Sequence, residues 1–311
     1  MTHVATLVCN PLDRILTAAL ARGALAALPR PQAPRWLADG VAADIMFSPD
    51  AHDDLKSFAD AVRAALDGAP VDVIVQPAQG RRKKLLTADM DSTMIGQECI
   101  DELAAEVDLR GHVAAITERA MRGEIAFEAA LRERVGLLKG LRSDVIAKVI
   151  ETAITVTPGA RALVRTMRRH GAHTALVSGG FTAFTSVIAA MIGFDENHAN
   201  RLEIDSNGRF TGCVIEPIFG ADAKLSTLRR LRAERGLTSA EIIAVGDGAN
   251  DLPMLLEAGL GVSFHGKPAV AAAASARIDH ADLTALLYAQ GFTRDEFIGE
   301  AQADAREAAA P

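Results

Sequence analysis

Three short apolar runs, LLTAD (85–89), HTALVSG (173–179) and EIIAVGD (241–247), each end in carboxylates, hydroxyls or glycines. Helical periodicity separates them. One helix follows Pro158-Gly159, one carries Phe184, Val187, Ile188 and Met191, one starts near Asp222, and a short one follows Asn250. A further strand, GLGVSF, comes after these. This alternation predicts an α/β fold built on a doubly wound, mostly parallel sheet with helices on both faces. Ligands of such sheets bind beyond the carboxyl ends of the strands, so the three loaded ends are expected to share one crevice.

The rest of the 311 residues is arranged around that sheet. Residues 94–152 show helical stripes (Ile100, Leu103, Ala104, Val107; then Phe127, Leu131, Val135, Leu138) and no strand signal. Inserted after the first strand, they form a small helical cap above the crevice. Residues 200–216 read as a hairpin around Asn207-Gly208. The first 80 residues follow a β-α-β-β-α-β order. The elements are a strand at 3–10, a helix with Leu12, Ile15, Leu16 and Leu20 on one face, strands at 34–38 and 41–47 across Asp39-Gly40, a helix with Leu55, Phe58, Ala59, Val62 and Leu66, and the strand VDVIVQP. This order predicts a small α+β, ferredoxin-like domain similar to the amino-acid-sensing ACT type, a likeness of element order alone. The expected divisions are 1–80, a core at 81–293, and a frayed, Ala-rich, acidic tail at 294–311.

Net charge and composition exclude several functions. A charge of −7 argues against a nucleic-acid partner. Arg81, Arg82, Lys83 and Lys84 form the one dense basic run, read as a solvated lead-in to a strand. Cys9, Cys99 and Cys213 lack disulfide or zinc spacing and read as small buried hydrophobes in a reduced, cytoplasmic protein. No apolar run spans a bilayer, and the N-terminus lacks signal-peptide architecture. A homodimer is left open.

The strand ends carry the chemistry. Asp89 and Asp91 are two apart, on one face of an extended chain, where carboxylates repel unless a cation joins them. Mg²⁺ accepts one or two carboxylates with water and phosphate oxygens. One carboxylate of such a pair can attack phosphorus and the other can move a proton. Alternatively, D-x-D is a common loop feature. Ser178-Gly179-Gly180 supplies a hydroxyl and bare amides for an anion, or else a helix cap. Gly246-Asp247-Gly248 adds a third carboxylate, or else a tight turn. An anion cradle beside three carboxylates calls for metal and phosphate together.

In order, DMDST, VSGGF, Lys224 and GDGAND resemble the four motifs of the haloacid dehalogenase superfamily, over about residues 84–290. The segments MIGQECIDELA, EIAFEAALRERVGLLKGL and GFDENHANRLEID are similar to the phosphoserine phosphatases within it. The resemblance implies Mg²⁺-dependent hydrolysis of O-phospho-L-serine, the last step of serine biosynthesis, through an aspartyl phosphate. By it, Asp89 matches the nucleophile, Asp91 the general acid and base whose backbone carbonyl also reaches the metal, and Asp247 the remaining metal ligand. Ser178 and the Gly179 backbone match phosphate contacts, Asn250 a residue contacting the site, and Lys224 a charge-neutralising cation that by position alone reads as helix surface. Asp251 matches a supporting residue, with helix capping as its plain alternative.

In the cap, Arg134 lies on the apolar stripe three residues beyond Leu131, where its charge needs a partner or its head must reach solvent. By resemblance Arg134 binds the substrate carboxylate, Glu98 the ammonium, and Phe127 covers the substrate. The plain readings are a helix-start acid for Glu98 and core packing for Phe127. Two other functions fit part of the pattern: a receiver-like phospho-aspartate switch, and a phosphotransferase or a phosphatase for another small phosphate ester. The second carboxylate at Asp91 and the cap argue against the switch.

Overall fold

The computed structural model describes residues 1–50, 53–121 and 124–299. The N-terminal part is β1 (His3–Cys9), α1 (Ala18–Leu25), β2 (Arg35–Ala38), β3 (Ala42–Phe47), α2 (Leu55–Ala65) and β4 (Val71–Pro77). Its strands pair antiparallel in the order β2-β3-β1-β4, the ferredoxin-like arrangement. Side chains of a strand alternate between faces. Ala5, Leu7, Cys9, Ile45 and Val73 therefore meet Ala21, Ala24, Val62 and Leu66 of the two helices. The opposite face offers Val8, Ala42 and Ile74 to the core of the larger domain.

Thr6, Asp44, Asp72 and Gln76 lie buried on that same face, and each has partners. Asp72 accepts the backbone N–H groups of Asp279, His280 and Ala281 at 2.7, 3.1 and 2.8 Å. Asp44 takes the Thr6 hydroxyl at 2.8 Å and the Arg81 guanidinium at 2.5 Å. Gln76 Nε2 donates to Ala289 O at 2.7 Å. Arg82 stacks on Phe292 with its guanidinium carbon 4.0 Å from the ring centre. The basic run thus is more than a solvated lead-in: Arg81 joins the two parts of the chain, and Arg82 packs the run against Phe292 of the larger domain.

Two other expectations near the termini need correction. The first helix begins at Ala18, where the Thr17 hydroxyl caps Leu20 N at 3.2 Å, and Leu12 is 91% exposed in the preceding turn. Arg294–Glu296, placed by sequence in the frayed tail, forms a helical turn, and Ile298 N donates to Thr166 Oγ1 at 2.8 Å. Residues 300–311 of that expected tail lie outside the described residues.

The larger domain is built on β5 (Leu85–Ala88), β6 (His173–Phe181), β7 (Glu196–Ile204), β8 (Phe210–Ile215), β9 (Ile242–Gly246), β10 (Leu260–Phe264) and β11 (Ala276–Ile278). Among the described residues these form one sheet in the order β11-β10-β9-β5-β6-β7-β8. Every neighbouring pair is parallel except the β7–β8 hairpin. The short edge strand β11 carried no signal of its own in the sequence. Helices α7 (Ala160–Arg169), α8 (Thr182–Ile192), α9 (Ala221–Glu234), α10 (Leu252–Glu257), α11 (Pro268–Ala273) and α12 (Ala285–Ala289) complete the alternation, while α3 (Cys99–Ala105), α4 (Arg110–Met121), α5 (Phe127–Gly136) and α6 (Val145–Thr152) make the cap. Leu103, Leu131, Val135 and Val149 seat the cap on the main core cluster.

β5 lies at the centre, flanked by β6 and β9, with Ala88 level with both Leu176 and Val245. Asp89 therefore emerges beside Ser178 and Asp247. This adjacency follows from register, since parallel strands that start level also end level.

Candidate active site

The floor of the crevice is an ionic cluster. Lys224 Nζ lies 2.7 Å from Asp89 Oδ1 and 2.7 Å from Asp251 Oδ1, and Lys224 and Asp251 are fully buried. Position at the start of α9 had suggested a surface lysine; packing of α9 against the sheet turns it inward instead. Burial opposes the Lys224 charge, but Asp251 and Asp89 outweigh it and raise its proton affinity above the ordinary lysine value. Asp251 Oδ2 accepts from Gly248 N at 3.0 Å. It stands at the start of α10 without capping it, so it acts as a brace between Lys224 and the Gly248 turn. Gly246 leaves the room: a Cβ there would sit 2.4 Å from Asp251 Cγ.

Asp91 turns the other way. Its Oδ1 accepts from Cys99 N at 2.9 Å and its Oδ2 from the Ser178 hydroxyl at 3.1 Å. The Ser178 oxygen also accepts Gly180 N at 2.8 Å. Ser178 does not cap α8, which starts at Thr182 behind Phe181. A Cβ on Gly180 would fall 2.9 Å from Asp91 Oδ2 and 3.0 Å from Ser178 Oγ, so this close approach needs glycine.

Burial raises the proton affinity of Asp89, with Asp251 adding to it and Lys224 opposing. Burial also raises Asp91, against the hydrogen bonds from Cys99 and Ser178. Asp247 is pushed up to about 6, by burial first and then by Asp251, while the Thr93 hydroxyl donates to its Oδ1 at 3.2 Å. Carboxylate oxygens of Asp89, Asp247 and Asp251 all lie within 4.8 Å of one another. Among the described residues two ammonium groups act on these three carboxylates, Lys224 in contact with Asp89 and Asp251 and Lys267 through its charge on Asp247. Hard oxygen donors carrying surplus negative charge fit a divalent cation. Asp89 and Asp247 are the pair free to hold one, because both Asp251 oxygens already have partners.

The cap completes the enclosure. The Phe127 ring packs across Gly179 and Gly220: a Cβ on either glycine would come within 3.2 and 3.4 Å of it. Asn250 reaches the same Gly179, its Nδ2 standing 3.6 Å from that Cβ position. Glu98 occupies the residue before α3 but does not cap it; its Oε1 accepts the Ser92 hydroxyl at 2.7 Å. The surrounding walls, then Asp91, push its carboxyl up to about 7, although the residue keeps an exposed side. Arg134 is half-buried and donates to Ala130 O and Thr117 Oγ1, both at 3.3 Å. It forms no ion pair among the described residues.

The sequence profile of the haloacid dehalogenase-like hydrolases matches residues 86–256, more than half of the chain. The chain belongs to the haloacid dehalogenase-like hydrolases. Membership makes it an enzyme of the hydrolase class. It is 46% identical over 216 residues to a Schizosaccharomyces pombe protein named "Probable phosphoserine phosphatase", covering 69% of this chain and 72% of that one. Among solved structures, a haloacid dehalogenase family hydrolase from Salmonella enterica serovar Typhi superposes with TM-score 0.80 at 28% identity, over 95% of this chain and 99% of the other. That likeness therefore includes the N-terminal domain. A phospho-aspartyl intermediate analogue of phosphoserine phosphatase matches at TM-score 0.62 and 38% identity, over 66% of this chain and 98% of that one.

Sequence reasoning passed over Thr93 and Thr117. Thr93 sits two residues after Asp91 in the same motif and was within reach of a period-two reading. Thr117 meets Arg134 from a different helix, and no spacing rule links them. Of the thiols, Cys9 and Cys99 are buried as expected, whereas Cys213 is exposed on the outer strand β8. No described helix is long and apolar enough to cross a membrane.

Proposed function

We propose that this hydrolase removes phosphate from O-phospho-L-serine, giving L-serine and inorganic phosphate by way of an aspartyl phosphate on Asp89, with Mg²⁺ as the metal. The observation that carries this reading is the pairing of a phosphate-type floor with two opposite charges in the roof. Glu98 and Arg134 both lie within electrostatic reach of Asp91 and form no ion pair among the described residues, and together they complement an ammonium and a carboxylate. A phosphate ester without an amino-acid moiety has no use for them. The relatives' names point to the same substrate.

Met90 N and Lys224 Nζ both bond to Asp89 Oδ1, which leaves Oδ2 free for attack on phosphorus. As the phosphorus–seryl oxygen bond breaks, Asp91 gives its proton to the leaving oxygen; its raised proton affinity suits that role. Asp91 then takes a proton from the water that attacks the phosphorylated Asp89, and phosphate leaves. Ser178, Gly179 and Asn250 hold phosphoryl oxygens, and Lys224 offsets their charge. Asp89, Asp247 and the Asp91 carbonyl would hold Mg²⁺, which when bound would supply positive charge to keep Asp89 ionised and to polarise the phosphoryl group. Phe127 excludes water above Gly179.

Residues 1–80 are read as an accessory domain fixed to a catalytic core at 81–293. Free thiols at Cys9, Cys99 and Cys213 support a reducing, cytoplasmic setting, with the product entering serine biosynthesis. The test compares phosphoserine, phosphothreonine and a phosphate ester lacking the amino acid. Glu98→Ala and Arg134→Ala are expected to weaken kcat/KM for phosphoserine far more than for the plain ester. Equal losses on both substrates remove the substrate assignment, and turnover by Asp89→Asn removes the covalent route.

A further inference from the structure

Strand β6 leaves its ladder at the point where the site is made. Pairing with β7 runs from Ala175↔Glu196 to Val177↔His198, then resumes at Phe181↔Asn200. Four steps along β6 thus correspond to two along β7, and Ser178, Gly179 and Gly180 bulge out of the sheet. A bulge frees backbone groups that need other partners in a buried place. The Gly179 carbonyl finds one in Asn200 Nδ2, at 2.9 Å.

The same amide serves a second loop. Asn200 Nδ2 also donates to Phe219 O at 3.0 Å, and its Oδ1 accepts Phe219 N at 2.6 Å. Asn200 is 2% exposed, so water does not compete for these bonds. Phe219 adjoins Gly220, the residue that caps α9, and Gly220 O accepts Lys224 N at 3.0 Å. One side chain with two donors and one acceptor in use therefore joins the Ser178–Gly180 bulge to the start of the helix that carries Lys224. Gly179 and Phe219 lie 40 positions apart along the chain, and the hydrogen bonds of Asn200 add a polar link beneath the Phe127 ring that packs across Gly179 and Gly220.

We propose that Asn200 is a positioning residue for phosphoryl transfer, holding the Gly179 peptide and the head of α9 so that the anion cradle and Lys224 address one phosphoryl group. This rests on the proposed phosphatase reading and adds a residue to it. Buried and with both ends of its amide taken up by the Gly179 and Phe219 peptides, Asn200 acts through those peptides. Its effect is confined to the floor, so it should act alike on every phosphate ester and leave recognition of the serine moiety by the cap unchanged.

Asn200→Asp tests this with almost no change of volume. It keeps the acceptor for Phe219 N and sets an oxygen against the carbonyls of Gly179 and Phe219. A misplacement of about 1 Å can cost roughly a hundredfold in rate, so kcat is expected to fall by about 10- to 100-fold on both phosphoserine and a plain phosphate ester. KM for phosphoserine should change less than about threefold. Calorimetric binding of orthovanadate, a phosphoryl mimic, should weaken in parallel, with L-serine binding unaltered. Asn200→Ser, a smaller perturbation, is the second variant should the aspartate prevent folding, and it is expected to move the same quantities in the same direction. A folded variant with wild-type kcat and vanadate affinity overturns the proposal, even if its melting temperature is lower. So does a loss seen on phosphoserine alone. Wild-type protein that hydrolyses plain esters but ignores phosphoserine would instead sink the substrate assignment and leave the Asn200 measurement intact.

Discussion

Glu98 offers the sharpest quantitative test of the roof. Its carboxyl is raised to about 7 by the walls around it and by Asp91, so in the resting protein a neutral form competes with the ion at working pH. Only the ion attracts an ammonium group. For a group of pKa about 7 the ionised share climbs from roughly one tenth at pH 6 to roughly nine tenths at pH 8, about a tenfold gain. Because kcat/KM reports the free enzyme, the gain belongs in that constant. Phosphate ionisation also changes over this range, so the quantity to follow is a ratio: kcat/KM for phosphoserine over kcat/KM for a phosphate monoester with no amino acid. The ratio is expected to rise about tenfold from pH 6 to pH 8 in the wild type. Glu98→Gln should lower it and flatten it. A wild-type ratio that stays constant across this window, or a Glu98→Gln protein with the wild-type slope, would falsify the assignment of Glu98 to the ammonium.

Three further outcomes are expected. Gly180→Ala sets a methyl 2.9 Å from Asp91 Oδ2 and 3.0 Å from Ser178 Oγ, so steady-state kcat should drop by about tenfold or more while the melting temperature barely moves. Lys224→Met removes two buried 2.7 Å contacts and leaves Asp89 beside Asp251 without the ammonium between them; turnover should vanish, and urea unfolding of the metal-free protein should show a loss of roughly 3–5 kcal/mol. Asp72→Ala strips the acceptor from three backbone N–H groups, which should lower unfolding free energy by about 3 kcal/mol while kcat of the folded protein is kept.

How much of this was legible in the chain depended on whether the signal was local. The βα alternation, the NG hairpin and the loaded strand ends at Asp89, Ser178 and Asp247 rest on period and turn chemistry, which act over a few residues. Local reasoning failed where a distant partner sets the outcome. Lys224 looks like surface on helical spacing alone, and only Asp89 and Asp251, from two other elements, make its burial tolerable. Arg81 and Arg82 look solvated until Asp44 and Phe292 are brought to them from opposite ends of the chain. Leu12 fits an apolar stripe, yet the Thr17 cap starts the helix five residues later.

By itself, then, the sequence determined which elements form and which strand ends bear reactive groups, because backbone propensity and side-chain alternation are properties of neighbours. Tertiary structure alone decided that Ala88 is level with Leu176 and Val245, that β6 opens into a bulge at Ser178, and that Asn200 closes the gap to Phe219. Those are matters of register and packing between segments far apart in the chain, where a shift of one residue reverses every side chain and no local rule records the choice.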